Sequence, residues 1–309
     1  MDNFVSLSGN ATTTSTIIAP NKKIWILFIF ALMMFAGLFL FFIGLMLHAF
    51  FTTAHLKEQA RYVLFMYTVL NDTLNLVTCV LLIFLTIASY SMPVSGCYVV
   101  ISISVATYHS SRSGLAAMAL ERYVAICFPL RHTLICRVEK YWVAIVVSSV
   151  IGFLPSVIDI IILSASEKYN FFFQRVMCRQ ELLIVTPQQA VMMFTTNATT
   201  FTVVALIILY TYIKIILEAQ KINRDKASSS KASKTVLLHA IQLLLSLTSF
   251  TTPISENLLR NTVGYLRVLN YFLFTLFPTF LSPLIYGFRD ENFIAHLKNT
   301  LTCLARPGG

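Results

Sequence analysis

Seven times along this chain an apolar run reaches the length of a membrane crossing. The runs are Ile24–Phe51, Tyr62–Ser89, Val94–Cys127, Tyr141–Leu163, Pro187–Leu217, Thr235–Asn257 and Leu266–Phe288. A spanning helix needs about 20 predominantly apolar residues. The expected fold class is therefore an all-α membrane protein, a seven-transmembrane helix bundle over residues 24–288. The last two runs are the most interrupted: Thr248–Pro253 is polar, and Pro278 and Pro283 break the seventh. Proline is tolerated in a spanning helix where neighbours satisfy the freed carbonyls. Composition agrees, with 12% charged residues where a soluble domain has roughly 25%.

Residues 1–23 are polar and lack a basic stretch followed by a short apolar core, so no cleavable signal peptide is expected. Asn10-Ala11-Thr12 is a glycosylation sequon suited to an extracellular tail. Asn71-Asp72-Thr73 and Asn197-Ala198-Thr199 match too, but inside apolar runs where no glycan can attach. With the amino terminus outside, fifteen lysines and arginines fall on the cytoplasmic side and seven on the other, with Arg112 within the membrane. That bias sets the expected orientation. It also turns the net charge of +10 toward anionic lipid and partner proteins, and nucleic acid is not needed to explain it. Cys97 and Cys178 then lie on the oxidising side, which permits a bridge between them; the blander alternative is six unrelated thiols.

The segment Met118–His132 reads MALERYVAICFPLRH. Its adjacent acid and base, Glu121 and Arg122, end the third run at the cytoplasmic mouth. One reading is an interface anchor. The other is a latch, because a paired arginine there can exchange partners when helices move. The segment resembles the MAYDRYVAICxPLxY signature of vertebrate odorant receptors, a group of rhodopsin-like G-protein-coupled receptors, and its wording looks most like the fish-type members. The resemblance extends over all seven runs. Ser282-Pro283-Leu284-Ile285-Tyr286 resembles Asn-Pro-x-x-Tyr. Lys231–Thr235 with His239 resembles the start of the family's sixth helix. Thr211-Tyr212 resembles its Ser-Tyr, and Asp72 falls where the family keeps an aspartate. Cys97 and Cys178 match its loop disulfide.

The resemblance implies a receptor that binds a small odorant in the outer half of the bundle and activates a stimulatory olfactory G protein, without catalysis or cofactor. Glu121, Arg122, Tyr123, Tyr212, Ser282, Pro283, Tyr286 and Asp72 would carry coupling and activation. The first run has no asparagine, and Ser282 stands at the seventh-helix asparagine position. Two polar partners of Asp72 are thus weakened or missing, and no metal is assigned beside it.

Helical spacing suggests the pocket. Ser104, Tyr108 and Arg112 recur at i, i+4, with Val105 and His109 beside them. Thr196, Asn197 and Thr200 cluster in the fifth run, and Phe250 and Thr251 lie at similar depth in the sixth. Polar groups converging in an apolar bundle suit a small, water-soluble ligand. Serine and threonine there also glue helices together or bond back to their own carbonyls. Arg112 has no acid one turn away; its candidate partners are Asp72, water or an anionic group of the ligand.

After Tyr286, Phe293, Leu297 and Leu301 recur at i+4 among charged residues. This predicts a short amphipathic helix on the inner membrane surface within the cytoplasmic segment 289–309, with Cys303 a candidate for palmitoylation. Histidines are scattered, and no phosphate loop or nucleophile motif appears, so no enzyme is expected. Two alternatives compete: a receptor of the same fold for a non-olfactory small molecule, and a channel or transporter. The latter predicts an inverted repeat or a file of ionisable residues, and only Asp72 and Arg112 lie deep.

Overall fold

The computed structural model describes residues 22–53, 59–88, 90–131, 138–167 and 169–222, together with 248, 269–270, 272–278 and 280–281. Five long helices dominate: α1 (Lys22–Thr52), α2 (Ala60–Ile87), α3 (Val94–Cys127), α4 (Val138–Ser166) and α5 (Pro187–Ile222). They contain four of the first five apolar runs whole and the second as far as Ile87, and α3 has the bounds expected from sequence. Within α1, α2, α4 and α5, the stretches Ile29–Thr52, Arg61–Thr86, Lys140–Ser166 and Pro187–Glu218 are long and apolar enough to cross a membrane.

α3 is more polar because it occupies the middle. It packs against α2, α4 and α5, and Thr107, His109, Ser110, Ser111, Arg112 and Glu121 are all buried on it. Lipid offers such groups no partner, so they turn toward neighbouring helices. Several hydroxyls also bond to their own helix: Thr107 Oγ1 donates to the carbonyl of Ile103 at 2.8 Å and Thr211 Oγ1 to that of Ile207 at 2.8 Å.

A close approach of α4 to α3 is built from small residues. Ser148, Gly152 and Ser156 recur at i, i+4, i+8 on α4, and all three are buried. Phe153, Leu154 and Val157 are exposed on the same helix. A Cβ on Gly152 would overlap the Ser110 hydroxyl and the Ala106 carbonyl of α3. Small residues let helix backbones come together where apolar side chains meet no aqueous driving force.

The larger core joins α1, α2, α3 and Val204 and Ile208 of α5. Phe35 and Phe39 reach the later segment, where Phe35 lies 4.9 Å from Phe272 and 4.6 Å from Phe280 between ring centroids. A smaller core surrounds Cys97 and Cys178 at the other end of α3 and includes Val94, Tyr98, Ile101, Leu163 and Leu183. There β1 (Ser91–Pro93) pairs antiparallel with β2 (Arg175–Met177), Met92 opposite Val176. Pro93 lacks an N–H and closes β1 at its edge, where the missing donor does no harm.

α5 begins with a cap. Thr186 precedes Pro187, the first helical residue, and Gln189 lies three positions beyond Thr186. The Gln189 N–H donates to Thr186 Oγ1 at 3.3 Å, and the Thr186 N–H donates to Gln189 Oε1 at 3.0 Å. This reciprocal pair is a capping box, with proline at the helical position that has no donor to lose.

Candidate functional site

The polar residues of α3 divide into three groups by depth. Nearest the strands, Cys97 and Cys178 form a disulfide with 5.3 Å between Cα atoms, both sulfurs in the small core. This bears out the pairing expected from sequence and anchors the loop between α4 and α5 to the end of α3. The far end of the same loop is anchored separately. Gln189 is 1% exposed and donates from Nε2 to Asp159 Oδ1 of α4 at 3.0 Å. The sequence reading missed this residue, although Thr-Pro-Gln-Gln is a legible helix start.

In the middle, a polar seam runs between α2 and α3. Ser111 donates from Oγ to Asp72 Oδ1 at 2.6 Å, and Ser104 donates from Oγ to Asn75 Oδ1 at 3.0 Å. Asp72, Asn75 and Ser111 are buried, so these bonds replace water that the bundle excludes. Asn75 follows Asp72 by three positions and faces the same partner. That spacing was the available signal for it. The Ser104 hydroxyl is thus engaged with α2 and serves as interhelical glue.

Beside the seam, the next α3 residues form a compact cluster. The Arg112 guanidinium carbon sits 4.8 Å from the Tyr108 ring centroid, and the Tyr108 and His109 rings meet edge to face at 5.4 Å. Arg112 is 4% exposed and His109 3%. Tyr108 and Val105 are half-buried. Of the fifth-run residues, Thr196, Asn197 and Thr200 are half-buried on α5. Asn197 Nδ2 donates to its own helix at the Met193 carbonyl, 2.9 Å away, and the Thr196 hydroxyl contacts Met192 Sδ at 3.5 Å.

At the other end of α3, Arg122 Nε lies 3.7 Å from Glu121 Oε2. Glu121 is buried and Arg122 half-buried. A single N–O contact of this length is weaker than a bidentate pair at about 2.8 Å. Tyr123 packs on Tyr210 of α5 with centroids 5.9 Å apart, and Cys127 Sγ reaches the Lys214 carbonyl at 3.9 Å. Tyr210 is the α5 tyrosine that meets Tyr123; Tyr212, to which the resemblance gives a part in activation, is half-buried two positions on. Phe250, Thr251, Ser282, Pro283, Tyr286, Asn10 and Cys303 lie outside the described residues. So do Thr235–Asn257, apart from residue 248, much of Leu266–Phe288, and the tail segment 289–309.

Residues 43–304 match the family model of the 7 transmembrane receptor, rhodopsin family. The chain is similar to odorant receptor 131-2 of Danio rerio, 33% identical over 197 residues, 61% of this chain and 60% of the relative. It is also similar to olfactory receptor 5K1 of Homo sapiens, 28% identical over 197 residues, 60% of this chain and 62% of the relative. Olfactory receptor 1073 of Rattus norvegicus is 26% identical over 193 residues, 60% of this chain and 61% of the relative. The matched region spans about 60% of the length of these relatives.

Proposed function

The chain belongs to the rhodopsin family of seven-transmembrane receptors, and from that premise we propose that it is an odorant receptor of the plasma membrane. The amino terminus and the disulfide end of α3 face outside. A small, water-soluble odorant enters there, contacts the Tyr108–His109–Arg112 level of α3 and the half-buried Thr196–Thr200 face of α5, and is read out at Arg122 by a stimulatory G protein. The observation that carries this reading is the layout of α3. One helix bears a disulfide-anchored loop at one end, a buried polar cluster in its middle and a loosely held Glu121–Arg122 pair at the other. The named relatives support the odorant assignment. In this orientation Asn10 lies where glycosylation occurs, and Cys303 lies where palmitoylation does.

The mechanism follows from differential contacts. A ligand shifts an equilibrium only by binding one state better than the other. Arg112 and Tyr108 share a helix with Arg122, ten and fourteen residues or about 15 and 21 Å away along the axis. A displacement at the cluster therefore moves the Arg122 end as part of one rigid element. Freed from Glu121, Arg122 offers a planar fork of donors to a partner's backbone carbonyls or carboxylates.

Arg122→Ala tests the reading. In cells carrying an olfactory stimulatory G protein, an active odorant should raise cAMP through the parent chain. The rise should be absent in the variant at equal surface level, measured through an amino-terminal tag. A parent chain that reaches the surface and raises no cAMP across amino acids, amines, bile acids and short carboxylic acids would count against stimulatory coupling.

A further inference from the structure

We propose that the stretch Gln180–Thr186, between the disulfide and α5, lies in the interfacial layer of the membrane, where Leu182 and Val185 continue the lipid-facing surface of α5. The partner is the lipid of the leaflet on the disulfide side. The inference needs the helices to cross a membrane and is independent of the ligand and of the G protein.

Depth is the first argument. The stretch begins with a single-turn helix, Gln180–Leu183, and runs beside the start of α5 in the opposite direction. Gln180 Nε2 donates to Met193 Sδ at 3.3 Å, and Gln189 Nε2 donates to the Leu183 carbonyl at 3.3 Å. Along α5 from Pro187, the first charged residue is Lys214, which is exposed. It marks the headgroup level at the far side, because an ammonium is costly in hydrocarbon. Met193 lies 21 residues before it, or about 31 Å along the axis, close to the roughly 30 Å of a bilayer's hydrocarbon core. The Gln180 tie therefore falls at the hydrocarbon boundary and not out in water.

The backbone answers to the same setting. The N–H groups of Val185 and Thr186 both donate to Gln189 Oε1 at 3.0 Å, and Nε2 of the same side chain takes the Leu183 carbonyl. In water such groups can be left to solvent. In lipid they find no partner and must be satisfied by the protein, which is what the buried Gln189 does. The side chains divide accordingly. Leu183 is buried, whereas Leu182 is 51% exposed and Val185 43%. Single exposed apolar residues are ordinary on a surface in water. These two lie beside turns of α5 on which Val191 and Phe194 are exposed as well, within a stretch long and apolar enough to span. Arg179, exposed at the head of the stretch, supplies the cation that interfacial segments set against lipid headgroups.

The test uses the full-length receptor in phosphatidylcholine nanodiscs, with Trp25 and Trp142 replaced by Phe so that one introduced tryptophan reports. Leu182→Trp is the probe and Gln174→Trp the aqueous control. Gln174 is exposed, and its carbonyl accepts from the Val94 N–H at 3.0 Å. Val94 starts α3, 28 residues or about 42 Å from Arg122. Bromine near the glycerol end of the acyl chains should lower the Leu182→Trp emission about twofold, as for a ring about 5–10 Å into the headgroup–acyl boundary, and leave Gln174→Trp nearly unchanged. Acrylamide, confined to water, should quench in the reverse order. Val185→Trp should behave as Leu182→Trp does, and stands in for it should that variant not fold. If acrylamide quenches Leu182→Trp as strongly as Gln174→Trp and bromine has no effect, the stretch lies in water and the proposal is overturned. Shielding from both quenchers would place another part of the chain or a second copy over it, and would overturn the proposal equally.

Discussion

Gly152→Leu is expected to leave almost no receptor at the cell surface. The nearest atoms to a Cβ at this position are the Ser110 hydroxyl, the Ala106 carbonyl oxygen and Ser110 Cβ, all on α3. A serine side chain can rotate away. A backbone carbonyl in the middle of a helix cannot, so α3 and α4 must separate. Overpacking a close-packed contact costs roughly 1–3 kcal/mol even for small additions, against a total stability of about 5–15 kcal/mol. Gly152→Ala should thus fold with a lowered thermal midpoint, whereas leucine, with three more carbons in the same gap, should fail. Adding Ser110→Gly to Gly152→Ala removes two of the three obstructing atoms but not the carbonyl, and should restore only part of the midpoint. Surface level through an amino-terminal tag and thermal unfolding of purified protein decide the matter. Gly152→Leu at parent levels in both would show that α3 and α4 do not meet as described.

What was legible in the sequence follows from what lipid demands. Every backbone group in hydrocarbon must be satisfied within its own helix, so runs of apolar residues mark the spans almost directly. α3 begins and ends as expected because Pro93 and Pro129 flank it. The Cys97–Cys178 bridge was legible from its side of the membrane and from the family resemblance. Contacts between helices were harder, because they depend on rotation about each axis. Which tyrosine of α5 meets Tyr123 is one such case: it is Tyr210, and two positions on a helix differ by about 200°. Ser104 was expected on the ligand face with Tyr108, yet its hydroxyl turns to Asn75 on α2. The Ser148–Gly152–Ser156 stripe carries a readable signal, small residues at a spacing of four, inside a run whose apolar length by itself announces only a span.

Gln189→Leu should destabilise the disulfide end of the bundle more than removal of an ordinary helix cap. Losing a capping side chain typically costs about 0.5–2 kcal/mol. Gln189 does more than cap α5. Its Oε1 accepts from the backbone N–H groups of Val185 and Thr186, both at 3.0 Å, and its Nε2 donates to Asp159 Oδ1 at 3.0 Å and to the Leu183 carbonyl at 3.3 Å. Leucine fills the space and makes none of these bonds. Two backbone donors and the Asp159 carboxylate then lose a partner, in a place where each lost partner costs about 1–3 kcal/mol. Part of that is recovered by water, since the Asp159 side of the clamp is half-buried, and a net loss of about 3–4 kcal/mol is expected. The disulfide cannot compensate. It holds Cys178 to α3, and residues 179–186 beyond it are tied to α5 by Gln189 and by Gln180, whose Nε2 donates to Met193 Sδ at 3.3 Å, and are packed inward by Leu183. The variant should unfold at a lower temperature, and hydrogen exchange should quicken at Val185 and Thr186 while the protection of Cys97 and Val176 stays near that of the parent chain. Gln189→Glu separates the parts of the clamp, because it keeps the acceptor bonds from the two backbone N–H groups, loses both donor bonds and sets a second carboxylate against Asp159. It should restore protection at Thr186 without restoring the thermal midpoint. Unchanged exchange at Val185 and Thr186 in Gln189→Leu would mean that the loop is held by the disulfide alone.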